Sequence, residues 1–111
     1  NVLDKVKMFY VKLLQVSMQG YVFQICVHFY HMNIEEDDMA QALHDNRDLL
    51  GHVHIADNHR YQPGSGTLDF TALFDQLRED NYQGYVVYEG RVRAENLPEA
   101  YRQSLAWLRT C

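Results

Sequence analysis

Segments with helical apolar spacing alternate with short apolar segments along the whole of this 111-residue chain. The short segments, at residues 21–30, 52–57 and 85–89, are rich in β-branched and aromatic residues, which is typical of strands. Helical segments surround them and give the order α-β-α-β-α-β-α. Because strands separated by helices are joined by crossovers and run parallel, the sequence predicts an α/β fold.

The first half of the chain contains two predicted helices and one strand. Residues 2–17 place apolar side chains at helical spacing and lysines on other faces, which predicts an amphipathic helix. Residues 21–30 are almost continuously apolar, as expected of a strand buried on both faces. Asn33 is a suitable N-cap, and the acidic residues at 35–38 favour a helix start, so we expect a helix from Asn33 to Leu50.

The second half repeats the pattern. Residues 52–57 alternate apolar and polar side chains and predict a short strand, and residues 58–68 contain proline and glycines and predict a loop. Asp69 and Asn96 are the expected N-caps of the last two helices. A closed barrel of parallel strands takes eight βα units and ~250 residues. We therefore expect residues 1–111 to be one partial domain of a larger α/β fold.

Composition excludes several classes of function. Fifteen acidic residues against ten basic ones give a net charge of -5, and no basic stripe is present, so we expect no nucleic-acid partner. No apolar run approaches the ~20 residues of a membrane helix, so we expect no membrane partner. Cys26 and Cys111 lie far apart, and Cys26 lies in an apolar run as expected of a buried free thiol. A free thiol indicates a reducing compartment, so we expect a cytoplasmic protein.

Side chains with functional chemistry gather where the predicted strands end, which is where α/β folds place their sites. His28 and His31 lie at the end of the first strand, His54 and Arg60 at the second, and Glu89 at the third. Imidazole and carboxylate groups are compatible with Mn²⁺, Mg²⁺, Co²⁺ or Zn²⁺, and a guanidinium can hold ligand oxygens. The pattern predicts a site for a divalent metal or a polar small molecule.

Simpler interpretations accompany this one. A histidine on a strand is more often a hydrogen-bonded core residue than a metal ligand. The PGSG segment at residues 63–66 can be an ordinary turn, and the absence of a following GK[ST] argues strongly against a phosphate-binding P-loop.

Two motifs are more specific. HMNIEE occupies residues 31–36, and GHVHIADNHR occupies residues 51–60 and continues through PGSG to Asp69. In this order and spacing they resemble the sugar phosphate isomerase/epimerase family of xylose-isomerase-like TIM barrels, in particular ketose 3-epimerases and hydroxypyruvate isomerases. The resemblance covers roughly residues 28–110. It implies a partial (β/α)8 TIM barrel, namely the last three and a half βα units, with strands six to eight.

The resemblance also implies roles for individual residues. His54 and Glu89 match the family's metal-binding histidine and glutamate, and Glu89 is also the catalytic acid/base. His31 and Arg60 match the substrate-binding histidine and arginine. The implied metal is Mn²⁺, with Mg²⁺, Co²⁺ or Zn²⁺ as alternatives. The implied reaction is proton transfer through an enediolate on a sugar or a hydroxypyruvate-like substrate.

Two departures from the family pattern bear on activity. His28 occupies the position of a metal-binding aspartate, so we expect it to be the third metal ligand in a softer site. The family's other catalytic glutamate, on strand five, has no counterpart, since residues 1–27 contain no Glu. We therefore expect the isolated chain to be a weak or inactive catalyst.

Functions of different classes remain open. The first hypothesis is a metal-dependent sugar isomerase or epimerase. The alternative is a non-catalytic half-barrel module that forms a homo-oligomer or binds a chain carrying the complementary half, because an open half-barrel exposes strand edges. A gene product with no independent role is the third.

Overall fold

The computed structural model describes residues 12–13 and 24–111. These residues contain the following elements, in chain order: β1 Lys12–Leu13, β2 Ile25–His28, α1 Phe29–Glu35, α2 Met39–Asp45, β3 Leu50–Ile55, α3 Phe70–Glu79, β4 Val86–Tyr88 and α4 Leu97–Leu108. The strands form one sheet in the order β1-β2-β3-β4. β2, β3 and β4 are parallel, and β1 pairs antiparallel with β2. The predicted α/β fold with a parallel sheet is confirmed.

The two faces of the parallel sheet have different chemistry. Val27, Val53 and Ile55 belong to a buried cluster with apolar side chains of α1, α2 and α3, including Phe29 and Phe70. Full burial of one such side chain contributes about 1.5–3 kcal/mol to stability. Because side chains alternate along a strand, the residues next to Val27, Val53 and Ile55 in β2 and β3 lie on the opposite face. That face carries the strand histidines.

Polar side chains set the starts of the later helices. Asp38 accepts a hydrogen bond from the Gln41 N–H (3.0 Å) at the start of α2. Asp69 accepts one from the Ala72 N–H (3.0 Å) for α3, and Asn96 accepts one from the Glu99 N–H (3.1 Å) for α4. Each bond satisfies a backbone donor that has no partner within its helix. The predicted caps Asp69 and Asn96 are confirmed.

Two predicted boundaries near the first parallel strand are wrong. The strand ends at His28, because the His28 ring caps α1 and the helix begins at Phe29. A single helix from Asn33 to Leu50 is also wrong, since Asn33 lies inside α1 and Asp38 starts a second helix. Leu50 is the first residue of β3.

The predicted helix at residues 2–17 falls mostly outside the described residues. Within it, Lys12–Leu13 forms a strand, so the prediction is wrong at those two positions. Residues 21–23 of the first predicted strand also lie outside the described residues. Among the helices that the structure describes, none is long and apolar enough to cross a membrane.

Candidate functional site

Strand register places two histidines side by side at the carboxyl end of the sheet. β2 and β3 pair so that His28 lies directly opposite His54. Their ring centroids are 5.8 Å apart, and the planes of the two rings are nearly perpendicular. His52, two residues earlier on the same face of β3, packs its ring 4.8 Å from that of His54. The site therefore begins as a consequence of parallel pairing between adjacent strands.

Glu89 joins the two histidines directly after β4. Its N–H donates to the Ile55 carbonyl (3.0 Å), which extends the β3–β4 ladder by one residue. Its Oε2 accepts a hydrogen bond from His54 Nδ1 (2.8 Å) and lies 3.3 Å from His28 Nε2. One potential ligand atom from each of His28, His54 and Glu89 lies within 4.8 Å of the others. Two imidazoles and a carboxylate form a donor set that binds divalent transition metals.

His28 is fully buried and is held at both ring nitrogens. Nδ1 accepts a hydrogen bond from the Tyr30 N–H (3.2 Å), and Nε2 lies 3.1 Å from the Glu89 carbonyl oxygen. Burial lowers the pKa of His28 to about 4, although the neighbouring Glu89 charge acts in the opposite direction. The ring is therefore neutral at neutral pH.

The pKa shifts of Glu89 and His31 keep the Glu89 carboxylate ionised and the His31 imidazole neutral. Burial acts to raise the pKa of Glu89, but the hydrogen bond from His54 and the nearby positive charges outweigh burial and lower the pKa below its usual value. Burial, together with the positive charge of Arg60, lowers the pKa of His31. The site thus contains an ionised carboxylate beside the neutral imidazoles of His28 and His31, and the ionised form of a carboxylate is the one that accepts a proton or binds a cation.

His31 and Arg60 border this group. The His31 ring lies 5.1 Å from the His28 ring, and the Arg60 guanidinium carbon lies 5.2 Å from the centre of the Tyr30 ring. Arg60 has a positive φ of 68°, an uncommon backbone conformation for a residue with a side chain. Two backbone bonds hold it there, from the Arg60 N–H to Asp57 O (2.9 Å) and from the Arg91 N–H to Arg60 O (2.8 Å).

A buried carboxylate organises the loop that carries Arg60. Asp57 is fully buried, and its Oδ1 accepts hydrogen bonds from the N–H groups of Asn58 (2.8 Å) and Leu68 (3.1 Å). Its Oδ2 accepts one from the Gly64 N–H (2.8 Å). The loop between β3 and α3 is therefore folded around this single side chain.

The β3–α3 loop is also joined to the β4–α4 loop. The Arg93 N–H donates to Gln62 Oε1 (3.2 Å), and Gln62 Nε2 donates back to the Arg93 carbonyl (3.3 Å). The Arg93 guanidinium carbon lies 3.9 Å from the centre of the Tyr61 ring. Hydrogen bonds from Arg93 and Arg91 lower the pKa of the Tyr61 hydroxyl. Together with the bond from Arg91 to Arg60, these contacts tie the loop of Arg60 to the loop that follows Glu89.

Comparison with known proteins identifies the family. The model of the xylose isomerase-like TIM barrel family matches residues 21–111. The chain belongs to this family. Its structure superposes on that of the 3-keto-D-glucoside 4-epimerase of Escherichia coli with a TM-score of 0.77 and 84% identity, covering 79% of this chain and 34% of that one. The described strands and helices are thus part of a xylose isomerase-like TIM barrel.

Two relatives by sequence are sugar epimerases. Over 88 residues the chain is 84% identical to the 3-dehydro-D-guloside 4-epimerase of Escherichia coli (strain K12), covering 79% of this chain and 34% of that protein. Over 66 residues it is 42% identical to the D-psicose 3-epimerase of Enterocloster bolteae, covering 60% of this chain and 22% of that protein. The chain therefore spans 34% or less of the length of these two relatives.

The structure locates the side chains that the sequence predicted for the site. The potential ligand atoms of His28, His54 and Glu89 lie within 4.8 Å of one another. This group is bordered by His31 and Arg60. Their roles as ligands, acid/base and substrate contacts stay predictions. Sequence reasoning missed Asp57 as the organiser of the loop, although an aspartate between a strand and a glycine-rich loop is a known signal for such a turn.

Proposed function

We propose that this chain supplies the carboxyl-terminal part of the active site of a metal-dependent sugar epimerase or isomerase. The observation that carries the proposal is the convergence of His28, His54 and Glu89, whose potential ligand atoms lie within 4.8 Å of each other. The family and the two epimerase relatives support the reaction class. We place the protein in the cytoplasm on account of its buried free thiol at Cys26.

The names of the two relatives share one chemical feature. A 4-epimerase acting on a 3-keto sugar and a 3-epimerase acting on a 2-ketose both invert a carbon next to a carbonyl group. The hydrogen on such a carbon is acidic, so removing it and returning a proton to the other face inverts the centre. The proposed substrate is therefore a sugar or glycoside that carries a keto group beside the inverted carbon, with a hydroxypyruvate-like compound as the smaller alternative.

Glu89 is the proposed proton acceptor. Its carboxylate is ionised, and the hydrogen bond from His54 fixes one of its oxygens (2.8 Å). His31 is neutral and can donate to or accept from a sugar hydroxyl, and Arg60 offers a fixed set of donors for oxygens. The loop contacts around Asp57 and Arg91 position Arg60 before a substrate binds.

The residues present fit a divalent ion. His54 and Glu89 would hold it, with His28 as the third ligand, and Mn²⁺ is the ion that the sequence resemblance implies. A bound ion would act as a Lewis acid that polarises the substrate carbonyl and so increases the acidity of the neighbouring C–H.

Metal binding by the purified chain tests this proposal. We expect one divalent ion per chain in equilibrium dialysis with Mn²⁺, and we expect His54→Ala and Glu89→Gln to abolish binding. Glu99→Gln is the matched control, because Glu99 lies on α4 and pairs with Arg102 away from the cluster. A wild-type chain that binds no ion, or a Glu89→Gln chain that binds as well as wild type, would contradict the proposal.

Catalysis by the isolated chain is expected to be weak or absent, since residues 1–111 contain no match for the family's strand-five glutamate. An epimerisation assay on ketoses and on hydroxypyruvate, with Mn²⁺, measures this. A kcat within the common enzyme range of roughly 1–10³ s⁻¹ would show that the expectation is wrong.

A second candidate function, as an assembly module, is favoured by exposed apolar side chains around β4 and α4. More than a third of each of the following is exposed: Tyr85, Val86, Val87, Leu97, Tyr101, Leu105 and Trp107. A cleft of about 420 Å³ opens between β4, α3 and α4 and is lined mainly by apolar side chains. Exposed apolar side chains around such a cleft favour its use as an interface. The proposed occupant is a second copy of this chain or a chain carrying the complementary half-barrel.

Native mass spectrometry with and without Mn²⁺ tests the assembly function. We expect a dimer that Tyr101→Glu or Leu105→Glu converts to a monomer, while Gln103→Glu on the same helix leaves it intact. A wild-type chain that is monomeric at every concentration tested would contradict self-association.

A further inference from the structure

The hydrogen bonds of His28 fix which of its nitrogens carries a proton. A backbone N–H only donates, so Nδ1, which receives the Tyr30 N–H, must be the acceptor nitrogen of the ring. A neutral imidazole has one acceptor nitrogen and one N–H. Nε2 therefore carries the hydrogen and donates it to the Glu89 carbonyl at 3.1 Å, with Glu89 Oε2 at 3.3 Å.

This protonation pattern conflicts with metal binding by the same ring. A metal ligand must offer a lone pair, and the atom that faces Glu89 is Nε2. Nε2 gains a lone pair only if the proton moves to Nδ1, which would then face the Tyr30 N–H donor. The bond that caps α1 would be lost, and a helix cap contributes about 0.5–2 kcal/mol. His54 Nδ1 also carries a hydrogen while it donates to Glu89, but among the described residues no hydrogen bond holds its Nε2, so that hydrogen can move to Nε2 without breaking a backbone contact.

The identity of the third donor also sets which ions the cluster prefers. With His28 the cluster offers two nitrogens and one carboxylate, the donor set of several catalytic zinc sites. An oxygen donor at residue 28 would instead leave one nitrogen among oxygens, which suits harder ions such as Mn²⁺ and Mg²⁺. The fully buried ring lies where β2 ends and α1 begins, so the backbone of both elements fixes the position of this donor.

We propose that His28 is the residue that determines the metal selectivity of this chain, favouring Zn²⁺ over Mn²⁺, and that it binds the ion only by releasing the Tyr30 N–H at the start of α1. The proposal rests on the metal site of the proposed function. It links ion binding to the first turn of α1, the turn that contains His31. Occupancy by the ion and the position of His31 are thereby coupled.

Paired titrations of the whole chain with Zn²⁺ and with Mn²⁺ test the selectivity. The quantity of interest is the ratio of the Mn²⁺ to the Zn²⁺ dissociation constant, since Zn²⁺ binds more tightly than Mn²⁺ at most sites. We expect this ratio to fall on the order of tenfold or more in His28→Asp. Aspartate is a good helix cap, and His28→Asn provides the same comparison if the aspartate variant does not fold. His44→Asn is the control, because it removes an imidazole that pairs with Asp80 outside the cluster.

The amide of Tyr30 tests the second part of the proposal, which is that the Tyr30 N–H is released from His28 when the ion binds. In ¹H–¹⁵N spectra of the wild-type chain, saturation with Zn²⁺ should shift the Tyr30 signal and speed its hydrogen exchange. In His28→Asp, whose carboxylate has lone pairs for both the cap and an ion, the exchange of that amide should change little.

The outcomes separate the two proposals. This inference would be overturned if the ratio of the Mn²⁺ to the Zn²⁺ dissociation constant were the same in wild type and His28→Asp. It would also be overturned if saturating Zn²⁺ left the Tyr30 amide unaffected. Either result would leave the metal site of the proposed function intact. Failure of wild type and variants to bind either ion would overturn both.

Discussion

Removing the Asp57 carboxylate should destabilise this chain far more than removing the exposed helix cap Asp69. Asp57 is fully buried and accepts hydrogen bonds from three backbone N–H groups, those of Asn58, Gly64 and Leu68. Alanine at this position removes the acceptor of all three donors. Asp69, the exposed cap of α3, accepts a single such bond, so Asp69→Ala is a matched control for the loss of an aspartate.

The expected magnitude follows from the accessibility of the three donors. Gly64 is exposed, and its N–H can bond water after the substitution, whereas Asn58 and Leu68 are half-buried. A hydrogen bond to a charged group contributes about 1.5–3 kcal/mol, so the loss of two gives about 3–6 kcal/mol for Asp57→Ala. Asp69→Ala should cost about 1 kcal/mol. Asp57→Asn keeps one acceptor oxygen and should lie between them.

Urea unfolding followed by circular dichroism measures these differences. Small domains are stable by about 5–15 kcal/mol, so Asp57→Ala removes a large part of the total. If that variant does not fold, the loss in free energy of unfolding in Asp57→Asn can still be compared with that in Asp69→Ala. An Asp57→Ala chain no less stable than Asp69→Ala would refute the assignment of this carboxylate as the organiser of the loop.

Two further predictions concern stability. Gly64 has a φ of 91°, and an added Cβ would lie 2.8 Å from the Trp107 side chain, so Gly64→Ala should lower the free energy of unfolding in urea by at least about 1–2 kcal/mol. Thr67→Ala in the same exposed loop is the control and should stay within about 0.5 kcal/mol of wild type. Equal losses in the two variants would contradict this expectation. Burial raises the pKa of Tyr82 to about 12 from 10.0, so the unfolded chain loses this proton first and stability should fall as the pH rises from 10.0 to about 12. Tyr82→Phe should reduce that fall in a series of urea midpoints, and an unchanged slope would show that Tyr82 ionises as it does in the unfolded chain.

From β3 onward the order of the elements follows from apolar patterning, because a period of two or of 3.6 residues indicates burial of one face of a strand or of a helix. The caps Asp69 and Asn96 were predicted from local chemistry alone and are confirmed. The start of α1 was not predictable in this way. His28 lies in an apolar run that reads as a continuous strand, and histidine is not among the preferred helix caps. Only the fixed position of its ring against Glu89 makes it one.

The cluster itself was partly predictable. Parallel strands end at a common edge, so His28, His54 and Glu89 were expected to meet there, and the register between β2 and β3 brings them together. The protonation pattern of the ring was not predictable, because it depends on which backbone groups face its two nitrogens. The contacts of Gln62 with Arg93 were also beyond sequence reasoning, since 31 residues separate the two in the chain.

The contacts between the β3–α3 and β4–α4 loops have an evolutionary consequence. Gln62 and Arg93 exchange two hydrogen bonds, and the Arg91 N–H bonds the Arg60 carbonyl, so the two segments are matched to each other in length. A residue inserted into one would carry its partners out of reach unless the other changed as well. We expect insertions and deletions at residues 58–66 and 90–95 to occur together across homologues. The two loops should therefore be inherited as a pair, although α3 lies between them in the chain.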